Sequence, residues 1–269
     1  MSAFLLLWRE ALLDALRRKL VAAIAAASLL SLLMLNQCAG CAPVPTVNGV
    51  AQDPGNTAAF MGIALMIVVG LWVVTLAGLL ASDHLAQALE DGHATTALAR
   101  PVRRHEFAYA RLAGALSVGL GAGLLLLGAT GFWLTTRNGL PAEPAALALL
   151  ACFLSCITVA AFAMTASLAL PRLAIWLLVF GLVFITSLAS GLSFLSPAEP
   201  GDVSSFRALF SAIDRFGPPI ASAMLRALAP WVPGAPLPAD FAAVFARSLV
   251  WAMLGLASLA AAFRKIELR

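Results

Sequence analysis

Apolar residues in this chain come in long unbroken runs separated by short polar punctuation, with no sustained alternation. Six runs approach the ~20 residues that a helix needs to cross the hydrocarbon core of a bilayer: roughly 20–36, 58–82, 107–135, 145–169, 173–195 and 243–263. Continuous runs argue for helices and against the alternating pattern of a membrane barrel, and a helix closes its own backbone hydrogen bonds in lipid. The expected fold is all-α, a polytopic membrane protein with a single transmembrane domain over residues 1–269. The first run is short and the third long, which predicts tilt or an overhang into the interface.

Ahead of the first run, Leu5, Trp8, Leu12 and Leu16 recur at three- and four-residue spacing, while Arg9, Glu10, Asp14, Arg17 and Arg18 fill much of the remainder. The spacing predicts an amphipathic helix over 3–18, and Trp8 with the basic cluster suits a helix lying along the inner membrane surface. The plainer alternative is a cytosolic extension of the first span. Glu10 and Asp14 interrupt the basic region, and Asn36-Gln37 precede Cys38 where a cleavage site wants small residues, so the segment does not read as a signal peptide.

Composition narrows the class. Of 269 residues, 62% are hydrophobic and 11% charged, against about 25% charged in a soluble domain. The net charge of +4 and pI near 9.2 reflect where Lys and Arg sit across the membrane and give no case for nucleic-acid binding. With the N-terminus inside, twelve of the seventeen Lys and Arg fall on the cytoplasmic side. The exceptions are Arg137, Arg207, Arg215, Arg226 and Arg247, four of them in or beside the last external segment. An even number of spans returns the C-terminus inside.

The expected external loop near 37–57 carries Cys38-x-x-Cys41, which could be a disulfide, free thiols or two ligands of a metal site. No external His exists, and Cys152 and Cys156 fall within a span one helical turn apart, where they read as core packing. A four-ligand zinc site is not encoded. The second external segment, about 196–242, contains eight prolines, and its stretches SSFRALFSAIDRFG and IASAMLRALAPW have helical apolar spacing. They predict two short helices lying on, or dipping into, the outer leaflet, with Trp231 at the interface; an ordinary structured loop is the alternative. The span interiors offer no Asp, Glu, His or Lys for a proton relay, and a charge at the bilayer centre costs at least ~2.5–3.5 kcal/mol. Ser155, Thr158, Thr165, Thr186, Ser187 and Ser190 supply neutral polar groups, and Gly119-x-x-x-Gly123 permits close helix packing.

One charged island remains, SDHLAQALEDGHATTALARPVRRHEFAYAR over 82–111, with all three histidines of the chain. It holds no nucleophile–base pair and no ligand cluster with a catalytic layout, so docking is its expected role. A helical stretch, DHLAQALEDG, precedes HATTALAR and a break at Pro101, which disfavours helix at Arg100 and starts a new segment well. Glu90, Gly92, Ala97-Leu98-Ala99, Arg100-Pro101-Val102-Arg103 and Arg111 resemble the cytoplasmic signature of type-2 ABC transporter permeases, the transmembrane subunits of exporters. At the last position the family more often has Lys preceded by Gly, where this chain has Ala110-Arg111. The six-span plan, the N-terminal helix and the long last external segment are similar to that family too, especially to the nitrous-oxide-reductase maturation permease and small bacterial efflux permeases.

The resemblance implies that residues 83–106 form a coupling segment seated in a separate cytoplasmic ABC ATPase, with Glu90, Gly92, Arg100, Pro101, Arg103 and Arg104 at the contact. It implies a homodimer of permeases, or a heterodimer with a related one, in a bacterial cytoplasmic membrane. The chain has no G-x-x-x-x-G-K-[ST] phosphate loop, so ATP and Mg would belong to the partner, and no catalytic, cofactor or metal site is expected here. No substrate is assigned, though neutral spans favour hydrophobic cargo. A non-transporting membrane scaffold or signalling subunit has the same hydropathy profile. An intramembrane lipid-modifying enzyme fits less well. Asp91-Gly92 and Ala99-Arg100 loosely evoke CDP-alcohol phosphatidyltransferases, but the next Asp is Asp202, on the opposite side, and no H-E-x-x-H occurs.

Overall fold

The computed structural model describes residues 3–17, 46–47, 50–51, 54–90, 104–195, 205–232 and 234–265. The expected first span at 20–36 and the Cys38/Cys41 pair lie outside the described residues. Eight α-helices are described: α1 (Ala3–Arg17), α2 (Pro54–Glu90), α3 (Arg104–Asn138), α4 (Ala142–Ala166), α5 (Arg172–Leu195), α6 (Ser205–Phe216), α7 (Ile220–Leu228) and α8 (Phe241–Lys265). A 3-10 turn, Ala229–Trp231, follows α7, and a two-residue ladder pairs β1 (Thr46–Val47) with β2 (Val50–Ala51). Among the described residues five helices, α2, α3, α4, α5 and α8, are long and apolar enough to cross a membrane. They make this a multi-pass membrane protein.

The helix ends follow local chemistry. Pro54 opens α2, where a missing N–H costs nothing. Gly139 ends α3 with φ +66°, the left-handed conformation that glycine adopts without strain, and Pro141 blocks continuation. Helix α2 runs unbroken to Glu90, so the stretch expected before Gly92 consists of the last turns of the span helix itself. At 37 and 35 residues, α2 and α3 exceed the ~20 needed for a crossing and project beyond it.

Helix α4 is the centre. It packs against α2, α3, α5, α7 and α8, and its buried positions run the length of the helix from Pro144 to Met164. In lipid, helix association depends on close packing more than on water expulsion, and glycine supplies the close approach. A Cβ on Gly119 would stand 3.1 Å from the Ala77 Cβ, and one on Gly123 would stand 2.9 Å from Val73 Cγ1. The Gly119-x-x-x-Gly123 pattern is therefore the seam between α3 and α2. Opposite faces of α5 and α8 present Leu177, Phe184, Val250 and Met253 outward, as hydrocarbon surroundings require.

Two apolar clusters divide the bundle lengthwise. One, at the end where α3 turns into α4 (the far end), joins Ile63, Met66, Leu134, Cys152, Val179 and Val244 to α7 and Trp231. The other, where α2 stops and α3 starts (the near end), joins Leu80, Leu85, Phe107, Leu112, Met164, Leu259 and Phe263.

The two short helices expected from 196–242 are present, but α7 does not lie on a surface. Every residue of α7 except Arg226 is buried, and the helix is enclosed by α2, α4, α5 and α8. Ser222 and Arg226, four residues apart, make one narrow polar face, and the rest of its surface is small or apolar and packs inside the bundle. Trp231 is buried against the protein at the level of the turn between the α3 and α4 spans, where its Nε1 donates to the Pro141 carbonyl at 2.9 Å and satisfies an acceptor freed at that turn.

Candidate functional site: the braced near end and the charged far end

The near end presents the island flanks. Helix α2 stops at Glu90 and α3 starts at Arg104. The structure gives these two residues by their backbone alone, and Gly92, Arg100, Pro101 and Arg103 lie outside the described residues. What it does give is the mount. Leu80, Ala81 and Leu85 of α2 pack on Phe107, Ala108 and Leu112 of α3. The Phe107 ring stacks on Phe263 of α8 with centroids 6.1 Å apart, and Tyr109 donates to the Leu256 carbonyl at 3.2 Å. Helices α2, α3 and α8 are thus fixed together just where the island departs and returns.

Helix α1 braces this mount. It runs antiparallel to the start of α3 in a register of three rungs, each three residues from the next. Trp8 Nε1 donates to Ser117 Oγ at 3.0 Å. Ala11 fits against Gly114, where a Cβ would come within 2.6 Å of the Ala11 Cβ. Arg111 Nη1 donates to Asp14 Oδ2 at 3.4 Å. The same Asp14 oxygen lies 3.7 Å from Nδ1 of His84 on α2. One carboxylate therefore pairs with α3 and also approaches α2, the two helices that flank the island. His84 is fully buried and Arg111 only 12% exposed, while Asp14 is 49% exposed. The Arg111 guanidinium also covers the Phe107 ring at 5.4 Å, joining the ion pair to the apolar mount.

The helical face expected for α1 was Leu5, Trp8, Leu12 and Leu16; the face that packs is Trp8, Ala11 and Asp14. The three-residue spacing on α1 matches the spacing Arg111, Gly114, Ser117 on α3, a signal visible only when both segments are compared. Within the island Arg111 was expected as the basic residue leading into a span, and it holds that position. Asp14 and His84 were not singled out for a shared role.

The far end holds a second charged group, formed by the residues least consistent with the distribution of basic charge. Arg226 of α7 donates from Nε to Asp240 Oδ2 at 2.8 Å, and its Nη2 lies 3.7 Å from Asp214 Oδ2 of α6. Ser190 of α5 donates to the other Asp214 oxygen at 2.8 Å. Arg247 of α8 donates to the Arg215 carbonyl. Paired with Asp240 and Asp214 in this way, Arg226 can sit at the far end with its charge largely offset.

Of the neutral polar residues in the spans, Thr158, Thr186 and Ser187 donate to carbonyls of their own helices, the usual fate of hydroxyls in apolar helices. Ser155, Thr165 and Ser190 also reach across. Ser155 Oγ is 3.4 Å from the Ile220 carbonyl of α7, and Thr165 Oγ1 is 3.4 Å from Ser258 of α8. Among the described residues no set of three His, Cys, Asp or Glu side chains gathers closely enough to hold a metal ion. No protein-family model and no curated protein matches this chain.

Proposed function

We propose that this chain is the membrane-spanning permease subunit of a type-2 ABC exporter, with 20–36 as the first of its six spans. Both termini face the cytoplasm of a bacterial cell, and a separate ATPase supplies the energy. The observation that carries the reading is the α2–α3 junction. The segment with Gly92, Arg100, Pro101 and Arg103 leaves and rejoins the bundle at one braced end, between Glu90 and Arg104. A coupling segment needs such a mount, because force delivered to a loop moves the bundle only if the helices beneath it move as one body. The α2–α3–α8 packing, with the close α1–α3 contact at Ala11 and Gly114 beside it, supports that stiffness. Closure of two ATPases then rocks a pair of permeases, identical or related, between inward- and outward-facing states.

Coexpression with a candidate ABC ATPase, followed by pull-down and ATPase assay in nanodiscs, tests the reading. Glu90→Ala and Arg103→Ala should leave insertion intact, because other basic residues set the orientation. Each should weaken association or coupling by about 1–3 kcal/mol, the worth of a charged hydrogen bond. Unchanged pull-down and unchanged coupled activity in the double variant would refute the docking role. A stable monomer that retains no ATPase would count against the permease reading as a whole.

A further inference from the structure

The free surface of α6 is divided lengthwise. Asp214 turns toward the protein, accepting from Ser190 of α5 and lying 3.7 Å from Arg226 of α7, and Phe210 and Ile213 are partly covered beside it. Among the exposed residues, Leu209, Ala212 and Phe216 recur at three- and four-residue spacing and share one edge, while Ser211 and Arg215, four apart, share the other. Leu209 is 57% and Phe216 72% exposed. Water on both edges would leave the apolar one uncovered. A helix seated in a headgroup layer covers it, apolar edge toward the chains and polar edge toward water.

The surfaces on either side of α6 are apolar too. It packs on α5, whose exposed Leu188 and Leu192 lie at the same end of the bundle. On the other side Arg247 of α8 donates to the Arg215 carbonyl, a cation at the negative end of the α6 dipole. Arg247 lies six residues into α8, about 9 Å at ~1.5 Å per residue. Exposed Val250 and Leu254, three and seven residues further on, share its helix face. Charge is left over in this corner. Arg226 takes both Asp214 and Asp240. Among the described residues Arg215 pairs with no carboxylate, and its guanidinium lies over the Phe216 ring at 5.8 Å. Three guanidiniums, of Arg215, Arg226 and Arg247, thus stand against two carboxylates, leaving one positive charge beside an apolar surface.

We propose that the corner between α6 and α8 binds a phospholipid of the adjacent leaflet, with its phosphate at the exposed Arg215 guanidinium and an acyl chain along Phe216, Val250 and Leu254. A phosphodiester carries one negative charge, which matches the one left over. A guanidinium presents paired donors that suit phosphate oxygens. The Phe216 ring and the α8 face give the chain an apolar track, which a free phosphate would leave unused. The inference needs only that the chain crosses a membrane, and it holds or fails without the exporter reading.

The test uses the full chain, delipidated in detergent, titrated with phosphatidylglycerol and read by native mass spectrometry. The expected result is one lipid per chain that is retained after the others are stripped. Arg215→Gln should weaken retention about tenfold, as loss of a charged hydrogen bond does, and Phe216→Ser should weaken it as well. Arg137→Gln, which removes an exposed arginine at the far end of α3, should leave it unchanged. Retention equal in the parent and Arg215→Gln, or an equal loss in Arg137→Gln, overturns the site. Displacement of the lipid by equimolar inorganic phosphate overturns the lipid assignment in favour of a free anion. In nanodiscs, with Cys38→Ser and Cys41→Ser, a nitroxide on Phe216→Cys should respond more to oxygen than to a water-soluble nickel chelate, and one on Ser211→Cys the reverse. An equal response at both positions overturns the seating of α6. Spin–spin coupling between chains at Phe216→Cys would give that edge to a second copy and overturn the lipid as its occupant.

Discussion

Replacing Gly114 by alanine adds one methyl group in the tightest part of the α1–α3 contact. The new Cβ would stand 2.6 Å from the Ala11 Cβ, 3.0 Å from the Ala11 carbonyl carbon and 3.1 Å from the Leu12 nitrogen. Two of those three atoms are backbone and cannot rotate away, so α1 must move bodily. Overpacking of this kind costs about 1–3 kcal/mol. Separation of the helices instead gives up the Trp8–Ser117 hydrogen bond, worth about 0.5–1.5 kcal/mol. It also gives up the half-exposed Asp14–Arg111 pair, worth about 0–1 kcal/mol. Undocking must also expose Ala11 and the Leu7 contact, so the added strain should raise the fraction of time that α1 spends undocked without releasing it altogether. Amide hydrogen exchange read by mass spectrometry on peptides from residues 3–17 measures this directly, with roughly tenfold faster exchange for each 1.4 kcal/mol of lost docking. Gly121→Ala on the same helix is the control. Among the described residues nothing lies within 4 Å of its Cβ, and alanine there improves helix propensity by about 1 kcal/mol. Equal exchange in the Gly114→Ala and Gly121→Ala proteins would refute the docked register.

At the far end, Asp214→Asn should lower thermal stability by about 1–3 kcal/mol through loss of charged hydrogen bonds. Arg226→Met should do the same, and the double variant should lose less than the sum of the two; strict additivity in the melts would show that the pair does not interact. Trp231→Phe leaves the Pro141 carbonyl without its indole donor, a loss of about 1–3 kcal/mol, and a melting temperature equal to the parent's would remove that bond from the account. For topology, Gln87→Cys and Asn48→Cys in a cysteine-free background should label from opposite membrane faces. Labelling from one face would overturn the six-span arrangement.

Five of the six expected spans are seen, legible because continuous apolar runs admit few alternatives, and Gly119 and Gly123 were legible because small residues at helical spacing mark a seam. The burial of α7 was less so. IASAMLRAL has the amphipathic pattern of a surface helix, yet only Arg226 escapes the interior, because α2, α4, α5 and α8 enclose it, which no local pattern reveals. Trp231 could be placed only at a general level from sequence, because its indole partner is the Pro141 carbonyl of a distant turn. Asp14, His84 and Arg111 could not be joined from sequence because they come from three helices whose register is set by packing. Likewise, Asp214, Arg226 and Asp240 become a group only once α7 is enclosed.

The enclosure of α7 constrains how the chain can be built. Nine residues make a helix about 14 Å long at ~1.5 Å per residue, half of a ~30 Å hydrocarbon core. No insertion machinery can thread such a piece across a membrane as a span. It must enter its slot from the side of the far end, and one wall of that slot is α8, which is synthesised afterwards. The molecule therefore passes through a stage with its centre unsealed, and sealing awaits the last helix. A cysteine placed at Ala223 should react with a water-soluble maleimide in chains halted at Asp240 and be shielded in the full chain. Equal shielding in both would mean that α7 seats before α8 arrives.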